Sequence, residues 1–108
     1  MNLDDVNENA VEKKLLFLAG TDEQYAQLYA AKDAHKERLK LEKAKAFLDS
    51  TGTVAERNAI ADCHANVEAC IDDGENILVE YKLLEAQRGR AETVIEVWRS
   101  LNASRRKN

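Results

Sequence analysis

The chain has 108 residues, which is enough for one domain. It contains no proline and four glycines, and 33% of its residues carry charges of mixed sign. This composition is typical of long, charged helices. A formal net charge of −4 argues against nucleic-acid binding over the whole surface. No apolar run approaches the roughly 20 residues of a membrane span, so we expect no membrane partner.

The first residues predict a cytoplasmic protein. Residues 1–5 read MNLDD, an acidic lead without the basic segment that opens a signal peptide. We therefore expect the chain to stay in the cytoplasm of its host cell, with both cysteines reduced.

Two predicted helices occupy the N-terminal half. A short helix over about residues 6–19 carries Val11, Leu15 and Leu18 on one side, and Gly20 is placed to end it. Residues 21–24, TDEQ, then fit a capping box that opens a second helix over about residues 22–49.

The clearest turn in the sequence is STGT at residues 50–53, and TVAE at residues 53–56 fits another capping box. Signals that end one helix and begin the next lie on either side of this short turn, so the two flanking helices should pack side by side and antiparallel. We predict an all-α fold: a long, coiled-coil-like antiparallel helical hairpin with a short N-terminal helix. The third helix should cover about residues 54–101, leaving a tail at 102–108 and one domain over 1–108.

The third predicted helix carries a heptad seam. Apolar residues recur at spacings of three and four, and only Gly74 and Arg88 interrupt them. The second helix is too short to cover the distal half of this seam. We therefore expect a second copy of the chain to cover Ile77, Tyr81, Leu84, Ala91, Ile95 and Trp98.

Gly74 leaves two alternatives open. The unbroken heptad phase favours a continuous helix, while Asp72, Asp73 and Gly74 together could form a true break. Basic residues of the second helix face acidic residues of the third when the chain folds at Gly52. That fold places residue i opposite about residue 103 − i.

Candidate catalytic and metal-binding residues are sparse. Cys63 and Cys70 lie one heptad apart, too far for a disulfide, and no metal-ligand spacing includes them. Neither His35 nor His64 belongs to a nucleophile–base pattern. We expect no catalytic residues, no metal, no cofactor and no enzymatic activity.

The C-terminal end combines basic residues with one indole. Arg99, Arg105, Arg106 and Lys107 follow Trp98 in the sequence, and such a set can hold phosphates and stack on bases. Basic residues also suit a helix C-terminus because they offset its dipole. We therefore keep nucleic-acid contact as the alternative here.

Residues 92–106, ETVIEVWRSLNASRR, resemble the closing segment of a group of small tailed-phage and prophage proteins. Those proteins end in IE-W-R-T/S followed by N-x-R/S, and their long helix starts with AER, as residues 55–57 do here. The resemblance covers the last half of the chain. It implies a phage accessory protein from an early, recombination-type gene cluster.

These patterns lead to two functional hypotheses. The first is a non-enzymatic phage adaptor that acts through helix–helix contacts with an unknown protein partner and through self-association. The alternative is a single-stranded DNA-binding recombination accessory protein that uses the basic C-terminal segment.

Overall fold

The computed structural model describes residues 6–107, with side chains through Arg106. These residues form three helices and no strand: α1 (Glu8–Asp49), α2 (Val54–Asp62) and α3 (Ala65–Lys107). The helices α1 and α3 pack against each other as an antiparallel helical hairpin. The predicted all-α hairpin is confirmed. The predicted acidic lead at residues 1–5 lies outside the described residues.

The helix α1 is continuous where the sequence predicts a break. Gly20 and Thr21 are both helical, so the separate N-terminal helix and the capping box at residues 21–24 are wrong. The Thr21 hydroxyl donates to the Phe17 carbonyl at 2.7 Å instead of capping a new helix. Such a bond satisfies the hydroxyl within a helix. The helix begins after Asn7, whose side-chain oxygen accepts from the Ala10 amide at 2.9 Å.

The predicted third helix is two helices. Thr53 caps α2 as predicted, and its hydroxyl accepts from the Glu56 amide at 3.2 Å. The chain then leaves the helix at Cys63 and His64, and α3 begins at Ala65. The His64 imidazole Nδ1 accepts from the Asn66 amide at 3.1 Å, which satisfies one N–H at the start of α3.

This break changes the register of the hairpin. Arg38 reaches Asp73 at 3.3 Å, whereas a fold at Gly52 would place it opposite Ala65. The predicted register is wrong because α2 and the two residues after it lie between the turn and α3, which shifts the residues of α3 that face α1. At its other end α3 extends through Lys107, so the predicted tail at 102–108 is helical up to that residue.

Two glycines have distinct roles. Gly52 adopts φ +118 in the turn before α2, a conformation that L side chains rarely adopt. Gly74 lies inside α3, which is continuous through it. Of the two alternatives for residues 72–74, the continuous helix is therefore correct.

The chain divides into two compact units, each containing part of α1 and part of α3. Met1–Ala26 and Lys82–Asn108 form the first, whose buried residues are Val11, Leu84, Ala91 and Ile95. Gln27–Tyr81 forms the second, whose buried residues are Ala46, Ala61, Val67, Cys70 and Tyr81. Most of these buried residues lie on α3, and burying each large aliphatic side chain contributes roughly 1.5–3 kcal/mol.

Candidate functional site

The cysteines and histidines are dispersed. Cys63 is exposed at the break before α3, and Cys70 is buried. His35 packs against Gly74, while His64 caps α3. Within residues 6–107 no three His, Cys, Asp or Glu side chains come together in a way that could hold a metal ion.

The residues predicted as an oligomer seam lie on the inner side of α3. Tyr81, Leu84, Ala91 and Ile95 are buried, and Ile77 and Trp98 are half-buried, in the single chain. Because α1 runs without a break to Asp49, it covers the seam that the shorter predicted helices left open. Four of these six residues are therefore already covered within the single chain, while Ile77 and Trp98 remain partly exposed.

A different apolar row faces outward on α1. It follows heptad spacing, with Glu37 as its one polar member between residues 30 and 48. We call its apolar members the outer stripe: Ala30, Ala34, Leu41, Ala44 and Leu48. All are exposed, with 54% of Leu41 and 74% of Leu48 accessible to solvent. The sequence carries this second heptad series. We missed it because the inner row of α1 contains polar residues, which obscure which of the two rows on this helix faces α3.

The outer stripe runs into a groove between α1 and α2. The groove encloses about 450 Å³, and we call it the turn-end groove. Four apolar residues line it, together with three polar ones: Ala44, Phe47, Leu48 and Ala61, then Lys43, Asn58 and Asp62. Its lining is mostly apolar, which suits the side chains of an amphipathic helix.

Arg57 fixes one wall of the turn-end groove. Its guanidinium lies 4.1 Å from the centre of the Phe47 ring and donates two hydrogen bonds, of 3.2 and 2.9 Å, to the Phe47 carbonyl. The same carbonyl also accepts from the Ser50 amide at 3.2 Å and from the Ser50 hydroxyl at 2.7 Å, so Arg57 reinforces an existing cap at the end of α1 and holds the ring in place.

Lysines flank the stripe and the groove. Lys43 reaches Asp62 at 3.8 Å across the groove, while Lys40 and Lys45 pair with Glu37 and Glu42 along α1. All three lysines are largely exposed, and such ion pairs contribute at most about 1 kcal/mol each. Each lysine is therefore free to exchange its partner for an acidic group on a bound helix.

The C-terminal end of α3 forms a second concave site, which we call the C-terminal cleft. It encloses about 570 Å³ beside the start of α1. Seven residues line it: Val6, Asn7, Glu8, Trp98, Asn102, Arg105 and Arg106.

Two of the four predicted nucleic-acid contacts belong to this cleft. Arg105 and Arg106 line it, and Trp98 joins them. Arg99 does not line it and instead pairs with Glu96 at 2.9 Å. The side chain of Lys107 lies outside the described residues. The contribution from α1 was missed because only the folded hairpin brings residues 6–8 beside the end of α3.

In the described part of the chain, none of the helices has the length and apolar character needed to cross a membrane. The fold and these two surfaces define an all-α hairpin protein without a recognisable catalytic constellation among residues 6–107. No protein-family model, curated protein or solved structure matches the chain.

Proposed function

We propose that this chain is a non-enzymatic adaptor that binds an amphipathic helix of a protein partner along the outer stripe and in the turn-end groove. The observation that carries the proposal is the exposure of Leu41 and Leu48 one heptad apart on a helix whose inner row is already covered. Large exposed apolar patches on soluble proteins commonly mark interaction sites.

The geometry favours a helix as the bound element. Residues at alternating spacings of three and four present a seam into which a second helix packs its own apolar row. Ala44 and Ala61 are small, so the groove leaves room for a larger side chain of the partner beside Leu48. Burying one leucine contributes roughly 1.5–3 kcal/mol, so Leu41 and Leu48 can supply much of the binding energy.

The charge around the stripe favours an acidic partner. Lys40, Lys43 and Lys45 lie beside it and hold their present partners weakly. A second copy would bring its own Lys40, Lys43 and Lys45 to this surface, with carboxylates that those lysines already pair with, and so offers less acidic charge than a helix flanked by glutamates. A helix with glutamates flanking its apolar row would instead meet opposite charge.

The biological context of the proposal comes from the sequence. The similarity of residues 92–106 to the closing segment of tailed-phage and prophage proteins supports an accessory role in a phage programme. In that setting the partner would be a protein of the phage or of its bacterial host, met in the cytoplasm.

The test uses a synthetic amphipathic helix as the probe. A labelled peptide of about three heptads carries leucine at its apolar positions and glutamate at the flanking positions. A second peptide carries lysine at the same flanking positions. Fluorescence anisotropy should show that the glutamate peptide binds the full chain at least tenfold more tightly than the lysine peptide.

Variants locate the binding surface. Leu48→Asp should weaken binding of the glutamate peptide at least tenfold, because it places a charge on the apolar stripe. Leu16→Asp is the matched control: Leu16 is also exposed on α1 but lies outside the outer stripe, so binding should persist.

Sedimentation velocity tests whether a second copy of the chain, instead of a partner helix, covers the outer stripe. If neither peptide binds, while the chain alone forms a dimer that Leu48→Asp dissociates, a second copy covers the stripe and the partner-helix proposal is overturned. Equal binding of both peptides, or equal effects of the Leu16 and Leu48 substitutions, would also overturn it.

A further inference from the structure

The C-terminal cleft combines two cations with an aromatic ring. Arg105 and Arg106 come from the last turns of α3, and Trp98 lies about two turns earlier. Asn102 lies between them and adds an amide, which donates and accepts hydrogen bonds. The cleft volume of about 570 Å³ falls within the range of about 300–1,000 Å³ typical of small-ligand sites.

The two arginines have no partner in the described part of the chain. Both are exposed, and neither makes a hydrogen bond or an ion pair with another described residue. Arg88 and Arg99, on the same helix, both bind carboxylates. No described residue therefore competes for the guanidinium groups of Arg105 and Arg106, and guanidinium groups match phosphate oxygens in pairs.

Trp98 makes the cleft more than a basic patch. Its side chain is half-buried, so the packed hairpin holds it while part of it lines the cleft. Stacking of one base on an aromatic side chain contributes about 1–3 kcal/mol. An acidic peptide would use the guanidinium groups and leave the indole without a matching ring.

We infer that the C-terminal cleft binds a nucleotide unit, with its phosphate on Arg105 and Arg106 and its base against Trp98. This site is separate from the proposed helix-binding surface, and neither proposal depends on the other. A single nucleic-acid strand and a free nucleotide share this chemistry, and the experiment below distinguishes them.

Glu8 gives the site an internal check. Its carboxylate belongs to the same lining and repels a phosphate held by the two arginines. Glu8→Gln should therefore tighten binding of a phosphate-bearing ligand.

Binding is measured by fluorescence anisotropy with a labelled oligothymidylate, over a series of salt concentrations. Unlabelled single strand, duplex of the same length, thymidine monophosphate and a polyglutamate peptide serve as competitors. If a nucleic-acid strand is the ligand, we expect the unlabelled single strand to be the strongest competitor. If a free nucleotide is the ligand, we expect thymidine monophosphate to compete as well, molecule for molecule, as the single strand.

Substitutions then assign the site. The double variant Arg105→Ala, Arg106→Ala should weaken binding at least tenfold at low salt. It should also reduce the slope of log affinity against log salt by about 0.7, since the two arginines hold one phosphate and each phosphate neutralised on a single strand contributes about 0.7. The matched control, Arg90→Ala with Arg99→Ala, removes the same charge from the same helix and should retain most of the binding.

Trp98 needs two variants because it also packs in the hairpin. Trp98→Phe keeps an aromatic ring and should retain part of the affinity, while Trp98→Leu keeps apolar packing and should lose the stacking contribution. Circular dichroism checks that both remain helical.

Equal losses in the two double-arginine variants would reveal diffuse attraction and overturn the inference. Full competition by polyglutamate, unchanged binding in Glu8→Gln, or no binding of any phosphate ligand at low salt would also overturn it.

Discussion

His35 of α1 lies directly against Gly74 of α3, at a level where a Cβ on residue 74 would fall on the imidazole ring. Both residues interrupt an otherwise apolar row, and each accommodates the other. The glycine that weakens α3 by its low helix propensity thus provides the space that the histidine of α1 fills.

We expect Gly74→Ala to destabilise the protein by about 1–3 kcal/mol, because overpacking forces the imidazole or the helices apart. Alanine alone would favour the helix by roughly 1 kcal/mol. Gly20→Ala and Gly89→Ala are the controls, since a Cβ at either position meets nothing within 4 Å. Urea denaturation followed by circular dichroism should show these two variants as stabilised. A Gly74→Ala variant as stable as the Gly89→Ala variant would contradict the close approach.

Arg88 is the second interruption of the α3 seam, and three oxygens of α1 accept from it. Its guanidinium donates to the Leu18 carbonyl at 2.9 Å, to the Thr21 hydroxyl at 2.8 Å and to the Asp22 carboxylate at 2.6 Å. The side chain is only 15% exposed. We expect Arg88→Met to lower the free energy of unfolding by about 2 kcal/mol, since hydrogen bonds to charged groups contribute about 1.5–3 kcal/mol.

A double-mutant cycle with Thr21→Val tests the pairing of Arg88 with Thr21. The coupling free energy should be about 1 kcal/mol, because the two residues are in direct contact. Arg90→Met should change stability by less than about 0.5 kcal/mol as an exposed control. A coupling near zero would show that the two side chains act independently.

Arg57 ties α2 to the end of α1. Arg57→Ala should lower the free energy of unfolding by about 1 kcal/mol, because the Phe47 carbonyl loses the two hydrogen bonds from the guanidinium and the ring loses its guanidinium neighbour. The loss stays moderate because the carbonyl keeps its two hydrogen bonds from Ser50. Arg57→Lys keeps the charge but not the two-pronged geometry, so it should recover less than half of the loss. Full recovery with lysine would show that charge alone matters. Thermal unfolding of the unsubstituted protein, Arg57→Ala and Arg57→Lys compares their stabilities.

The two cysteines should react at very different rates with a thiol reagent. Cys63 is exposed outside the helices, while only 2% of Cys70 is accessible. In the native state we expect fast labelling of Cys63 and labelling of Cys70 limited by local opening. Cys63→Ser identifies the fast phase, and equal rates for the two thiols would contradict the burial of Cys70.

The heptad series of α3 could be predicted from the sequence because its spacing is regular over many turns. The seam residues that we named, from Ile77 to Trp98, are buried or half-buried, and so are its two interruptions, Gly74 and Arg88. The corresponding row of α1 escaped prediction because Thr21, Lys32 and His35 occupy inner positions. Lys32 lies over the rings of Tyr29 and Tyr81 at 4.8 and 4.9 Å, a contact that local sequence does not reveal.

The candidate surfaces were predicted less well. Trp98, Arg105 and Arg106 were identified from their chemistry, but residues 6–8 join them only through the antiparallel pairing of the helices. The turn-end groove requires α2 as a separate helix, and capping signals predicted where α2 begins but not where it ends.

By itself, the sequence determined helix formation, the turn at Gly52 and the apolar side of α3, because helix propensity, glycine geometry and hydrophobic periodicity act within a few residues. Only the tertiary structure decided that α1 passes through Gly20, that the chain breaks at Cys63 and His64, and which residues meet across the hairpin. Those outcomes depend on partners far apart in the sequence, such as Arg88 with Thr21 and His35 with Gly74, whose packing outweighs the local preferences of either residue.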